Sequence, residues 1–107
     1  MSWRSQIPLM VRHLINDLDQ TNYKYSDDRI ETSVLVSAQL LSIETDFINS
    51  YSIDIANSNL SPDPTLDPID NAFINLAALK SACIIVGSEL KTEASNAISI
   101  KDGPSAI

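Results

Sequence analysis

The stretch from Pro68 to about Lys91 sets the hardest condition on this fold. It reads as a helix, with Asp67 as its cap and Pro68 at its first position, where a missing N–H costs nothing. Ile69, Phe73, Ile74, Leu76, Leu79, Ile84, Ile85, Val86 and Leu90 make it apolar on most sides. Such a helix is stable only when other elements cover it. Ala72, Ala77, Ala78, Ala82 and Gly87 let neighbouring backbones come close. We expect it to be the central helix of a mainly α fold, with the rest of the chain as its cover.

Two further helices are predicted. The first spans about 7–18, with Ser5 as N-cap and Pro8 in the first turn. Trp3, Ile7, Met10, Val11, Leu14, Ile15 and Leu18 recur at three- and four-residue steps and form one stripe; Arg12, His13, Asn16 and Asp17 lie off it. The second spans about 27–48, opened by Ser26-Asp27-Asp28, where a capping oxygen and two acids suit the helix dipole. With Ile30 at 0° and about 100° per residue, Ile30, Val34, Ala38, Leu41 and Ile48 cluster between about 0° and 80°. Val36, Leu40, Ile43 and Phe47 form a second stripe near about 220° to 280°. Two stripes suit a helix that packs on its own core and also on another subunit; the alternative is that a third helix covers the second stripe within the same chain.

Tyr51-Ser52-Ile53-Asp54-Ile55 alternates with period two and reads as a short strand over about 51–55. Residues 57–68 read as a proline-rich loop. Ala97 to Lys101 alternates likewise, giving a second strand over about 97–101 that would pair with the first. All 107 residues are expected to form a single domain. Ser105-Ala106-Ile107 adds no terminating structure, which leaves room for a longer native chain.

Composition narrows the function. The formal charge of −7, from 14 acids against 7 bases, opposes wrapping nucleic acid, because phosphate binding draws on clustered Lys and Arg. With two glycines the chain has no phosphate-cradling loop. Cys83 is the only cysteine, so neither an internal disulfide nor a thiolate metal cluster can form; its apolar neighbours suggest a buried structural thiol. The start Met1-Ser2-Trp3-Arg4 leads into a helix broken by charges rather than an apolar signal, and no apolar run is long enough for a membrane span. A cytoplasmic protein, or a component of a particle assembled in the cytoplasm, is expected.

Three constellations could carry chemistry. Asp17 to Asp28 is twelve residues with oxygen-bearing side chains at its first, third, fifth and twelfth positions, the spacing of a calcium loop. Asn22 stands where glycine belongs and Lys24 where an apolar residue belongs, so we read a helix connection followed by an acidic cap. His13 and Asp17 share a helix face and read as a solvated ion pair. Asp63, Asp67 and Asp70 read as loop and cap residues. We expect no enzyme, no cofactor and no metal site.

The order of elements, with the segment Tyr25-Ser26-Asp27-Asp28-Arg29-Ile30-Glu31 opening a long second helix, resembles the head–tail connector (adaptor or neck) proteins of tailed bacteriophages. The Tyr51–Ile55 strand and the alanine-rich Asn71–Lys80 helix continue the likeness. The resemblance implies a structural protein of the virion neck, assembled in the host cytoplasm. It would form a homo-oligomeric ring of twelve between the portal protein and a tail-side connector or tail terminator protein. Such a ring extends the DNA channel, passing DNA without binding it specifically and without a membrane. In that reading Val36, Leu40, Ile43 and Phe47 are the subunit interface. Family members often carry a C-terminal extension that clasps a neighbour, and here the chain ends soon after the second predicted strand. The alternative functions are a small calcium-responsive module and a helical protein-binding module of the cytoplasm.

Overall fold

A computed structural model describes the backbone of residues 2–101 and the side chains of residues 2–87. Three helices, α1 (Trp3–Leu14), α2 (Asp27–Glu44) and α3 (Asn71–Lys101), pack around one core. A two-stranded antiparallel sheet, β1 (Ser52–Asp54) with β2 (Asn59–Ser61), lies between α2 and α3 in the chain. The architecture is mainly α with two short strands. The Arg4–Glu31 and Arg12–Asp27 ion pairs, both 2.8 Å, set α1 antiparallel to α2. The Phe47–Phe73 ring contact and the 3.0 Å bond from Ser81 to Ser37 set α2 antiparallel to α3. Ser37, Ala38, Ala77, Ala78 and Ser81 are all buried, so small side chains bring these backbones together.

The first helix starts at Trp3 rather than Ile7, and its opening is held from far along the chain. Ser2 is the N-cap without a side-chain bond, while the Trp3 N–H donates to Asp63 Oδ2 at 3.1 Å. Pro8 accordingly lies inside the helix rather than in its first turn. The helix stops at Leu14 instead of Leu18 because Asn16 adopts φ 59°, the left-handed region that usually takes glycine. Asn16 N–H donates to His13 O and Asp17 N–H to Arg12 O, the two crossed bonds of a Schellman turn.

The second helix starts where expected. Ser26 Oγ accepts from Arg29 N–H at 3.1 Å, with Asp27 and Asp28 in the first turn. It ends at Glu44, short of Ile48, as Thr45 turns extended.

The partner of β1 is a finding of the structure. Ile53 faces Leu60 in register, and Leu60, inside the expected loop, is buried in the core. Residues 97–101, expected as the second strand, are the last turn of α3. Alternating apolar residues over so short a run fit either structure, and continuation of a helix already formed adds one hydrogen bond per residue. The third helix begins at Asn71 rather than Pro68, because Asp70 Oδ1 accepts from Phe73 N–H at 3.2 Å and supplies the cap assigned to Asp67.

Candidate functional site

The outward face of α2 is built by its periodicity. Ile30, Val34, Leu35, Ala38 and Leu41 are buried against α1 and α3. Opposite them, Leu40 is 41% and Ile43 79% exposed, while Val36 is half-buried. Phe47 does not share that face. The helix has ended before it, and its ring meets Phe73 edge-on at 5.2 Å, packed against the core. Of the four predicted interface residues, the structure leaves two prominent outside and brings one inside.

A second outward apolar face lies on α3. With Phe73 at 0°, the buried Phe73, Ile74, Ala77, Ala78, Ser81, Ala82 and Ile85 span about 0° to 180°. Leu76, Leu79, Cys83 and Val86 follow at intervals of three, four and three residues between about 220° and 300°. Leu79 is 52% exposed, and Cys83 is exposed rather than buried as its neighbours suggested. Leu14, at the end of α1, joins Leu79, Ala82, Cys83, Val86 and Gly87 around a groove of ≈ 380 Å³. Hydrophobicity on most sides of α3 signalled that more than one of its sides needs cover; α1 and α2 cover one.

The polar constellations serve the fold. Arg12, expected off the buried stripe, is buried. It donates to Asp17 Oδ2 at 2.8 Å, Tyr25 O at 3.0 Å and Asp27 Oδ1 at 2.8 Å, with its guanidinium 3.6 Å from the centre of the Tyr23 ring. Asp17 also accepts from the N–H groups of Lys24 and Tyr25. Donors on both its oxygens turn the carboxylate away from the role of first calcium ligand. Asp19 Oδ1 is likewise turned back onto Thr21 N–H and Oγ1. His13 is exposed and Asp17 is held by Arg12, so the two are not partners. Among the described residues no group of three or more His, Cys, Asp or Glu side chains is placed to hold a metal ion. Asp63 and Asp70 cap α1 and α3, while Asp67 is exposed.

Tyr51 stacks on Phe73 at 4.0 Å, and its hydroxyl donates to Asp70 Oδ2 at 2.8 Å. Burial raises the phenol to about 12; the bond from Asn49 opposes this, and the hydrogen bond and charge of Asp70 add to it. The folded state therefore holds this proton more tightly than the unfolded state, whose tyrosines ionise near 10.0. Below that pH the contribution is fully present, and it is lost as pH rises from about 10 towards 12. Unfolding midpoints measured across that interval should fall more steeply in the native protein than in Tyr51→Phe; equal slopes would remove Tyr51 as the cause.

No family model, curated protein or solved structure matches this chain.

Among the described residues every buried side-chain nitrogen and oxygen has a hydrogen-bond partner, and no helix is long and apolar enough to cross a membrane. Exposed apolar side chains on two helix faces can bind other protein surfaces.

Proposed function

We propose that this chain is a structural subunit that assembles with copies of itself into a ring, as the resemblance to phage head–tail connectors implies. The ring would sit between portal and tail and continue the DNA channel. The observation that carries the reading is the outward pair Leu40 and Ile43, standing on α2 opposite its buried face. Large aliphatic side chains on a regular helix, away from the core, contribute nothing to the monomer that a polar residue would not. They gain free energy when a neighbour covers them. The charge of −7 adds support, since a channel wall that repels phosphate lets DNA pass without gripping it.

Native mass spectrometry tests this directly. The unmodified protein is expected at a multiple of 11.7 kDa, and Leu40→Ser with Ile43→Ser at 11.7 kDa as a monomer that still unfolds cooperatively. Assembly that survives both substitutions would place the interface elsewhere. A chain that stays monomeric at every concentration, including when mixed with portal-bearing heads, would sink the reading.

A further inference from the structure

A cavity of ≈ 180 Å³ opens where α2 ends, and its polar lining has spent its donors inside the protein. Ser42 Oγ–H donates to Ala38 O at 2.9 Å, and Tyr51 O–H to Asp70 Oδ2 at 2.8 Å. Asn49 Nδ2 donates to the Tyr51 hydroxyl at 3.3 Å. What these side chains still offer is acceptors: Ser42 Oγ, Asn49 Oδ1 and, beside them, both oxygens of Asp46. The hydroxyls of Thr45 and Ser50, also in the lining, accept as readily as they donate.

The charge at this end of α2 has the same sign as that lining. Thr45 N–H makes the last backbone bond of the helix, to Leu41 O, so the carbonyls of Ser42, Ile43 and Glu44 receive no backbone donor. They form the negative end of the helix dipole, which a Lys or Arg in the last turn usually balances. Here the last turn has no basic residue, and none lines the cavity. Asp46 adds a full negative charge where the dipole disfavours one. The charges of Asp70 and Asp63 also reach Tyr51, adding to the burial that raises its phenol.

We infer that this cavity binds a primary ammonium group through Ser42, Asp46 and Asn49. An ammonium has three N–H donors and no acceptor, the complement of what the lining offers. Its charge meets the unbalanced helix end and the Asp46 carboxylate. At about 30 Å³ per water, the space holds about six waters, enough for the ammonium and part of an aliphatic stem. Phe47, the one apolar residue of the lining, gives that stem a wall. One carboxylate is too few for a calcium or magnesium ion, and no cluster of three metal-ligating side chains is placed here among the described residues. The site belongs to the single chain and does not depend on assembly.

Backbone and Asn49 side-chain amide shifts, recorded at neutral pH and constant ionic strength, test the inference. n-Butylammonium chloride should shift the signals of residues 45–51 saturably. Potassium chloride should not, and neither should tetramethylammonium chloride, which carries the same charge without N–H donors. Asp46→Asn should weaken binding by about tenfold, the loss of one charge-assisted bond. Glu44→Gln, at the same helix end but outside the lining, should change it by less than about twofold, because exposed charges at a distance are screened. If Asp46→Asn fails to fold, Ser42→Ala removes an acceptor without altering charge and should also weaken binding. Nα-acetyl-lysine N-methylamide carries the same group on a peptide unit. Saturation at a lower concentration than n-butylammonium would assign the site to a protein lysine, and at a higher one to a free amine. Equal shifts with tetramethylammonium or potassium would reduce the site to nonspecific attraction and overturn the proposal. So would equal losses in Asp46→Asn and Glu44→Gln, or shifts that never saturate.

Discussion

Arg12→Ala is expected to destabilise the folded chain by about 3–5 kcal/mol, the usual consequence of removing one partner of a buried ion pair. That is a large part of the total of about 5–15 kcal/mol that holds a domain of this kind together. The loss is large because the guanidinium serves three elements at once. It ties the end of α1 to the loop through Asp17 Oδ2 and Tyr25 O, and to the start of α2 through Asp27 Oδ1. Without it, Asp17 stays buried with two backbone N–H donors and no counter-charge. Asp27→Asn should cost far less, about 0.2–1 kcal/mol, because that side chain is 79% exposed and water screens the pair. Denaturant midpoints for the two variants check both values. If Arg12→Ala melts with Asp27→Asn, the cluster is a surface feature and the α1–α2 connection is held by packing alone.

That cluster also shows what the sequence could and could not reveal. The start of α2 was legible because everything that sets it is local: Ser26, Asp27 and Asp28 act within one turn. The buried stripe Ile30, Val34, Ala38 and Leu41 was legible for the same reason, since periodicity needs no knowledge of the partner. The start of α1 was not, because its cap is Asp63 and sixty residues of chain separate the two. Arg12 carried no mark of burial, since its charge is balanced by groups five to fifteen residues away. The end of α1 turned on the left-handed backbone of Asn16, which the apolar spacing of Ile15 and Leu18 outweighed on paper. Leu60 was hidden among polar and proline residues, and only the register opposite Ile53 makes it a core residue. For the candidate surface, the second stripe of α2 was visible as far as the helix runs. Projecting it past Glu44 to Phe47 failed because the angle per residue changes once the helix ends. The outward face of α3 was obscured by the helix's own hydrophobicity: a helix apolar on most sides does not say which side the rest of the chain will cover.

Phe73→Ala is the other substitution expected to be severe, at about 3–5 kcal/mol for a fully buried ring. Phe73 is fully buried, met edge-on by Phe47 at 5.2 Å and stacked by Tyr51 at 4.0 Å. Truncation removes the surface on which both rings rest. It also loosens the Tyr51 hydroxyl from Asp70, the residue whose other oxygen caps α3 at this very N–H. Two readouts should therefore move together. The denaturant midpoint should drop, and the alkaline ionisation of Tyr51 should slide from about 12 back towards 10.0 as its burial is lost. A lowered midpoint with Tyr51 unmoved would mean the stack and the cap are independent. An unchanged midpoint would mean that the ring adds no packing energy at all. The same logic divides the second stripe of α2. Phe47→Ser should behave as a milder copy of Phe73→Ala, losing stability in the monomer, because Phe47 leans on that ring. Leu40→Ser with Ile43→Ser should give a monomer that still unfolds cooperatively, losing only the stabilisation that assembly adds to the native protein. If Phe47→Ser instead keeps the fold and abolishes association, Phe47 belongs with the outward face after all, and the boundary drawn between core and interface at Glu44 is in the wrong place.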